Sequence, residues 1–331
     1  MRLSRRDLIK IIAAMSLNTF LFRYNRVNAL EILTTNEDEY FCSWSPDSSK
    51  ILYNFDNQLW ILDIRDKSKI QLTKSGMNFD GEFSPDGNKI AFVSENKSEN
   101  RSAQNLLTSI CVMDLIDKKT RCLTNKGFNC NPVWSPDGRK IAFIKIEFGR
   151  HAKHIWVMDA DGSNQTPLTQ DLGSIECWTP KWSPDGKRIV FSTFSNTGWS
   201  IWLMDADGGN KRKLADGYYP QWVSENEITY VSGNKLYRFS LDGKNNKKEL
   251  IASLGDESIK VYYSINKNGD VVYDSGHNIS IIHNGRKTKI TRTGHEGLPI
   301  FSPDGEKIAF MSNRSGNLDI WLITWEIHEK S

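Results

Sequence analysis

An all-β fold, a β-propeller of seven four-stranded blades, is what the sequence predicts. The grounds are a repeated hairpin, the spacing of its copies, and two chain ends that complement each other. The hairpin is written most fully from Phe301 to Phe310 (FSPDGEKIAF) and recurs as WSPDGRKIAF (Trp134 to Phe143), WSPDGKRIVF (Trp182 to Phe191) and FSPDGNKIAF (Phe83 to Phe92). Trp44 to Tyr53 (WSPDSSKILY) is a close variant, while Trp222 to Tyr230 and Tyr263 to Tyr273 are worn ones. Proline fixes φ at the first corner of a turn, aspartate suits the second, and glycine accepts the positive φ that comes next. An aromatic before the turn and a β-branched or aromatic run after it make each copy a β-hairpin.

The serines of the seven copies stand at 45, 84, 135, 183, 224, 264 and 302. Their spacing, near forty to fifty residues, is the period of a propeller blade rather than of a helical solenoid. Each hairpin is followed by another, as where Ile155 to Asp159 leads through Ala160-Asp161-Gly162-Ser163 into Thr166 to Thr169. Leu59 to Asp63 runs in the same way to Gln71-Leu72-Thr73, and Ile201 to Asp205 to Lys213-Leu214. Four short strands per unit make a blade. A ring of six blades, the alternative, would require discarding the unit at Ser224 or the one at Ser264.

The last unit stops after its third strand, Asp319 to Ile323, whereas Glu31-Ile32-Leu33-Thr34-Thr35 matches a fourth strand. The N-terminal strand is therefore expected to complete the last blade and leave no open edge.

Taken in order, residues 1–29 read as a targeting segment ahead of a propeller spanning 30–331. Ser4-Arg5-Arg6-Asp7-Leu8-Ile9-Lys10 resembles a twin-arginine motif, with Arg5 and Arg6 as its signal, and Ile9 to Phe22 is a modestly apolar stretch too short to span a membrane. Val27-Asn28-Ala29 offers the small residues a signal peptidase reads. Without that segment 37 basic and 39 acidic residues remain, a net charge of −2. The basic balance thus belongs to the leader, and no basic patch points to nucleic acid.

The (W/F)SPDGxxIAF…IWxMDxDG…LT pattern resembles the WD40-like propeller repeat of the TolB C-terminal domain and its exported relatives, over residues 31–325. The resemblance implies an exported, periplasmic propeller without the α/β domain that precedes the propeller of TolB.

Five cysteines are present, at 42, 111, 122, 130 and 177. Cys111 and Cys122 lie on consecutive strands, and a turn centred near Asp117 would point them to opposite sheet faces. Cys130 and Cys177 precede the first strands of adjacent blades and could approach. No pair has CxxC spacing, so no zinc site is expected. The runs Asp159 to Asn164 and Asp205 to Asn210 have glycine at their fourth position, which suits a hairpin turn rather than a calcium loop. Trp60, Trp156, Trp202 and Trp321 recur once per blade and read as packing.

The connection between second and third strands is long in unit two (Val93 to Ser109) and unit three (Ile144 to His154). These loops share a face with the inter-blade connections, opposite the SPDG turns, and variable loops on a rigid scaffold carry recognition. The same face receives the residues just before each innermost strand. The candidate binding set is Asp80 and Glu82, Asn131, Trp178 and Lys181, Tyr218, Tyr219 and Gln221, Tyr262, His295 and Glu296. Asn78, Phe79, Asn129, Glu176 and Lys260 flank it. Aromatics, amides and mixed charges there suit a peptide segment or a carbohydrate.

No G-x-S-x-G elbow is present and the blades consume the chain, which argues against an α/β-hydrolase. Scattered histidines offer no metal triad, and no cofactor is expected. The expectation is a non-catalytic, exported, monomeric propeller that binds a protein or cell-envelope component. The alternative is a lyase-like enzyme acting on a polysaccharide at the channel mouth, where His295 would serve.

Overall fold

The structure, a computed structural model, describes residues 27–34, 39–95, 107–147, 152–242, 247–255, 262–274, 278–292 and 296–325. Seven four-stranded antiparallel sheets succeed one another, each built from consecutive strands except the last. The ring therefore has seven blades, and the units at Ser224 and Ser264 each supply a complete one. The first blade runs Glu39–Trp44, Lys50–Phe55, Gln58–Asp63 and Lys69–Gln71 from the axis outward. In the later blades the innermost strands are Asn78–Phe83, Phe128–Trp134, Glu176–Trp182, Tyr218–Ser224, Tyr263–Ile265 and Glu296–Phe301.

The seventh blade is closed by an N-terminal strand, as expected, but that strand is Val27–Ile32 rather than Glu31 to Thr35 and begins within the segment read as targeting. Val27–Ile32 pairs antiparallel with Asp319–Trp325, with Ile32 opposite Trp321. Because that strand starts at Val27, cleavage after residue 29 would trim its first three residues and leave Leu30, Glu31 and Ile32 paired.

The core is distributed rather than central. The described residues form seven apolar clusters, one at each junction between neighbouring blades. The junction of blades two and three, for instance, brings Val93 and Ile110 against Ile141 and Phe143. Both faces of a middle strand are thus covered, so the KIAF runs are apolar without alternation.

The tryptophan or tyrosine at the head of the hairpin repeat in five of the blades has a second task. Trp134 Nε1 donates to the Glu82 carbonyl at 3.4 Å, Trp182 Nε1 to that of Val133 at 3.2 Å, and Trp222 Nε1 to that of Lys181 at 3.0 Å. Trp44 Nε1 reaches the Ile300 carbonyl at 3.4 Å and so joins the first blade to the last. Tyr263 donates its hydroxyl to the Tyr219 carbonyl at 2.9 Å. These five residues clamp their blades to the innermost strand of the one before, while Phe83 and Phe301 hold the same position in blades two and seven without a donor.

The repeated serine locks the turn. Ser135 Oγ donates to Asp137 Oδ1 at 2.6 Å and accepts the Lys140 N–H at 2.9 Å, while the Arg139 N–H reaches Asp137 Oδ1 at 3.1 Å. The Ser135 hydroxyl and the Arg139 N–H hold the Asp137 carboxyl below the usual range. Ser135 is buried, so Ser135→Ala leaves the Lys140 N–H without its acceptor. A loss of ~1–3 kcal/mol is expected in a denaturant titration. An unchanged midpoint would show that the backbone turn suffices.

One expectation is corrected. Cys111 and Cys122 form a disulfide and stand directly opposite in register. The loop centres between Ile116 and Asp117, half a residue earlier than expected. That shift reverses which residues face one another, because side chains alternate with period two. Cys130 and Cys177 remain free and buried, and burial pushes both thiols up to about 12.

Candidate functional site

A break in register recurs in the innermost strands, between Phe79 and Glu82, Cys130 and Val133, Trp178 and Lys181, Tyr218 and Gln221, and Gly297 and Ile300. At each break one residue takes a left-handed backbone: Asp80 (φ 51°), Asn131 (49°), Thr179 (47°), Tyr219 (54°) and Leu298 (52°). Aspartate and asparagine tolerate this region, but threonine, tyrosine and leucine are strained there. Bulges re-aim side chains, and retained strain clusters at functional sites. Here the bulges form a ring around the axial opening.

The axial channel encloses about 510 Å³ and is lined by Asp80, Glu82, Asn131, Thr179 and Lys181 together with residues of the turn side, Asn266, Phe301, Ser302 and Pro303, so it reaches toward the SPDG turns and not only the loop face. Asn131 Nδ2 donates to Asp80 Oδ2 at 3.3 Å, and the Trp134 N–H donates to Glu82 Oε2 at 3.3 Å. Burial pushes the Glu82 carboxyl up to about 7 against the opposing pull of the Lys181 ammonium and the Trp134 N–H. Burial likewise raises Asp80.

A third carboxylate sits beneath the rim. Asp274 is buried and accepts the Tyr262 N–H at 3.1 Å and the Leu298 N–H at 3.2 Å, which ties blades six and seven together. Burial pushes it up to about 6. Both Glu82 and Asp274 hold a proton more tightly in the folded state than in the unfolded chain. Their contribution to stability therefore falls as pH rises from the ordinary carboxylate range through about 6 for Asp274 and about 7 for Glu82. The melting temperature is expected to drop as pH is raised from about 5 to about 7.5, and Glu82→Gln should flatten that slope. An identical slope in the variant would remove Glu82 from the account.

Beside the channel lies an aromatic cleft of about 430 Å³ lined by Glu176, Trp178, Thr179, Ser192, Phe194, Trp199, Tyr218 and Tyr219. Trp199 stands among three rings, 4.9 Å from Phe194, 6.1 Å from Trp178 and 6.3 Å from Tyr218 between centroids. Tyr218 meets Tyr219 edge-on at 5.2 Å, and Tyr219 lies 5.3 Å from Tyr262, so one row of rings crosses blades four, five and six. Thr179 borders both cleft and channel.

The candidate residues separate into distinct places. Asp80, Glu82, Asn131 and Lys181 meet in the channel, whereas Trp178, Tyr218, Tyr219 and Tyr262 form the row beside it. Gln221 Nε2 donates to the Tyr263 carbonyl at 2.5 Å and so bridges two blades. Glu296 is buried, and its carboxylate receives Arg314 and the Thr291 hydroxyl. His295, Lys260, Arg5 and Arg6 lie outside the described residues, as does most of the two long loops. Sequence reasoning missed Trp199 and Phe194. Their signal was the length of the strands Arg188–Ser195 and Gly198–Asp205, which carry this hairpin beyond its neighbours. Among the described residues no group of three or more His, Cys, Asp or Glu side chains could hold a metal ion.

Fold and site together define a seven-bladed propeller with an axial channel and an aromatic loop face. A family model described as "TolB beta propeller domain" matches residues 22–259, and the chain belongs to that family. The Tol-Pal system protein TolB of Rhizorhabdus wittichii is 32% identical over 73 residues, a stretch covering 22% of this chain and 17% of that protein. A solved oligogalacturonate lyase in complex with manganese superposes with a TM-score of 0.70 at 18% identity, covering 90% of this chain and 93% of its own. The oligogalacturonate lyase of Vibrio parahaemolyticus does so with a TM-score of 0.70 at 16% identity, covering 89% and 93%.

These likenesses correct the expectation that the chain is not an enzyme. Two of the proteins that share its fold along about nine-tenths of its length are lyases, so the fold gives no ground for excluding catalysis. A propeller can draw catalytic groups from its own channel mouth, so the missing hydrolase elbow excludes only one kind of chemistry.

Proposed function

We propose that this is an exported, TolB-like propeller that captures a protein or another cell-envelope component on its loop face. The observation that carries the reading is the continuous row of rings from Phe194 to Tyr262 beside the axial opening. Aromatic side chains half-exposed on rigid strands are the usual anchors of an interface. The disulfide supports an oxidising location, where such bonds persist. No helix among the described residues is long and apolar enough to cross a membrane.

The capture reading is tested by immobilising the processed protein and passing an envelope extract over it. Trp178→Ala and Tyr219→Ala should each weaken retention of a bound component about tenfold or more while the melt stays close to wild type. Equal retention by wild type and both variants would sink the reading. Export is tested separately. Changing Arg5 and Arg6 together to lysine should leave precursor in the cytoplasm, and unchanged export would remove the twin-arginine route.

A second reading, cleavage of an acidic polysaccharide in the axial channel, is favoured by Glu82, which lines it. A carboxyl raised to about 7 and facing a lysine has the poise of a general base. Incubation with oligogalacturonate, followed by assay for unsaturated products, tests it. Cleavage that Glu82→Gln or His295→Ala removes would establish this reading.

A further inference from the structure

The aromatic cleft is the part of the loop face with the most selective chemistry, and a ligand assigned to it rests on the loop-face reading. Five of its eight lining residues are aromatic, and Glu176 is its one carboxylate; no basic residue lines it among those described. The polar groups on its wall are largely committed. Thr179 Oγ1 and Ser192 Oγ lie 3.1 Å apart in one hydrogen bond, and Ser192 Oγ also accepts the Tyr219 N–H at 3.2 Å. Tyr218 spends its hydroxyl on the Gly233 carbonyl at 3.1 Å.

Three classes of ligand can be weighed against that lining. A neutral sugar would find ring faces to stack on but few uncommitted groups for its hydroxyls. An anion would meet the Glu176 carboxylate and the negative faces of the rings. An organic cation meets ring quadrupoles and a carboxylate together, which is the arrangement that binds alkylated ammonium and guanidinium heads.

The molecule already uses this chemistry once at the cleft wall. The Lys153 ammonium lies 3.5 Å from the centroid of the Trp178 ring and 3.4 Å from Glu176 Oε2. The Trp178 indole N–H donates to the same carboxylate oxygen at 3.2 Å. Lys153 does not line the cleft, but it already holds one face of Trp178 and one oxygen of Glu176 from outside it.

We propose that the cleft formed by Glu176, Trp178, Phe194, Trp199, Tyr218 and Tyr219 is a cage for an organic cation, presented as an arginine or lysine side chain of a bound protein. The head group enters between the rings and shares the Glu176 carboxylate with Lys153, which holds only its Oε2. The adjoining pair Tyr219 and Tyr262 carries the rest of the partner segment toward the axis.

The probes are choline, neohexanol (its uncharged isostere, in which carbon replaces nitrogen) and an arginine-containing peptide amide. Each is titrated into the processed protein and followed by tryptophan fluorescence, with the chemical shifts of the cleft rings as a second readout. Choline should bind at least about tenfold more tightly than neohexanol. Glu176→Gln should weaken choline several-fold while leaving neohexanol unchanged, and its melt should confirm a folded ring. The peptide amide should bind more tightly than choline, and the Trp199→Ala variant should lose both. Equal affinities for choline and neohexanol, or saturation by neither, would overturn the cage. Choline binding with no gain for the peptide would overturn the side-chain source and assign the site to a free quaternary ammonium. If the cage fails while Trp178→Ala still loses the envelope component, the cation inference falls and the loop-face reading stands.

Discussion

Removing residues 27–34 is expected to lower the melting temperature more than any single substitution, because it opens the ring. The lost strand carries the outermost ladder of the seventh blade, and its end is held at several points. Leu33 N–H donates to the Ile320 carbonyl at 2.9 Å, and the Ile320 N–H returns to Thr34 Oγ1 at 2.9 Å. Lys67 of the first blade pairs with Glu31. Leu33 is buried in the cluster that joins Ala309, Met311 and Leu322 to Trp44, Ile51 and Tyr53. Leu33→Ala alone should cost ~2–5 kcal/mol through the cavity it leaves. That corresponds to a melting shift on the order of 3–8 °C for a domain of about 300 residues. The deletion should exceed this and make the protein prone to aggregate, since Asp319–Trp325 would become an unpaired edge. A soluble deletion variant with an unshifted melt would show that the blade closes in another way.

Trp199→Ala should have the largest effect on recognition. Its ring touches three others, so its removal dissolves the cleft rather than one contact. Loss of such an anchor costs ~2 kcal/mol or more, which is at least about a tenfold weaker hold on the bound component. Trp199 is only half-buried and stands at the end of its strand, so the ring of blades should survive. Trp199→Phe keeps an aromatic face and should recover most of the capture. If Trp199→Ala binds like wild type, the row of rings is packing and the site lies elsewhere on the loop face.

The two predictions divide the molecule along the line between what was legible in the chain and what was not. Ser135, Pro136, Asp137 and Gly138 interact within one turn, so their spacing declares the hairpin and its repetition declares the blade. That an N-terminal strand closes the last blade was legible from the missing fourth strand, but its bounds, Val27–Ile32 rather than Glu31 to Thr35, were not. Trp134 was readable as an aromatic of the repeat but not as a clamp, because its partner carbonyl belongs to Glu82, in the preceding blade. The disulfide was missed over half a residue of turn geometry, which spacing alone does not resolve. Trp178, Tyr218, Tyr219 and Tyr262 were legible as rim residues, while Trp199 was hidden among tryptophans that pack between blades.

By itself the sequence determined the hairpins, the number of blades, the closing strand and the face that bears the loops. Each of these comes from local turn chemistry and from apolar runs that must be covered on both sides. Only the tertiary structure decided which rim residues share a site. It set Glu82 opposite Lys181 in a space closed enough to raise its carboxyl to about 7. It also gathered rings from separate blades into one cleft around Trp199. Burial and ring-to-ring distance depend on how neighbouring blades are inclined and where each innermost strand bulges, and these are properties of the closed ring rather than of any one repeat.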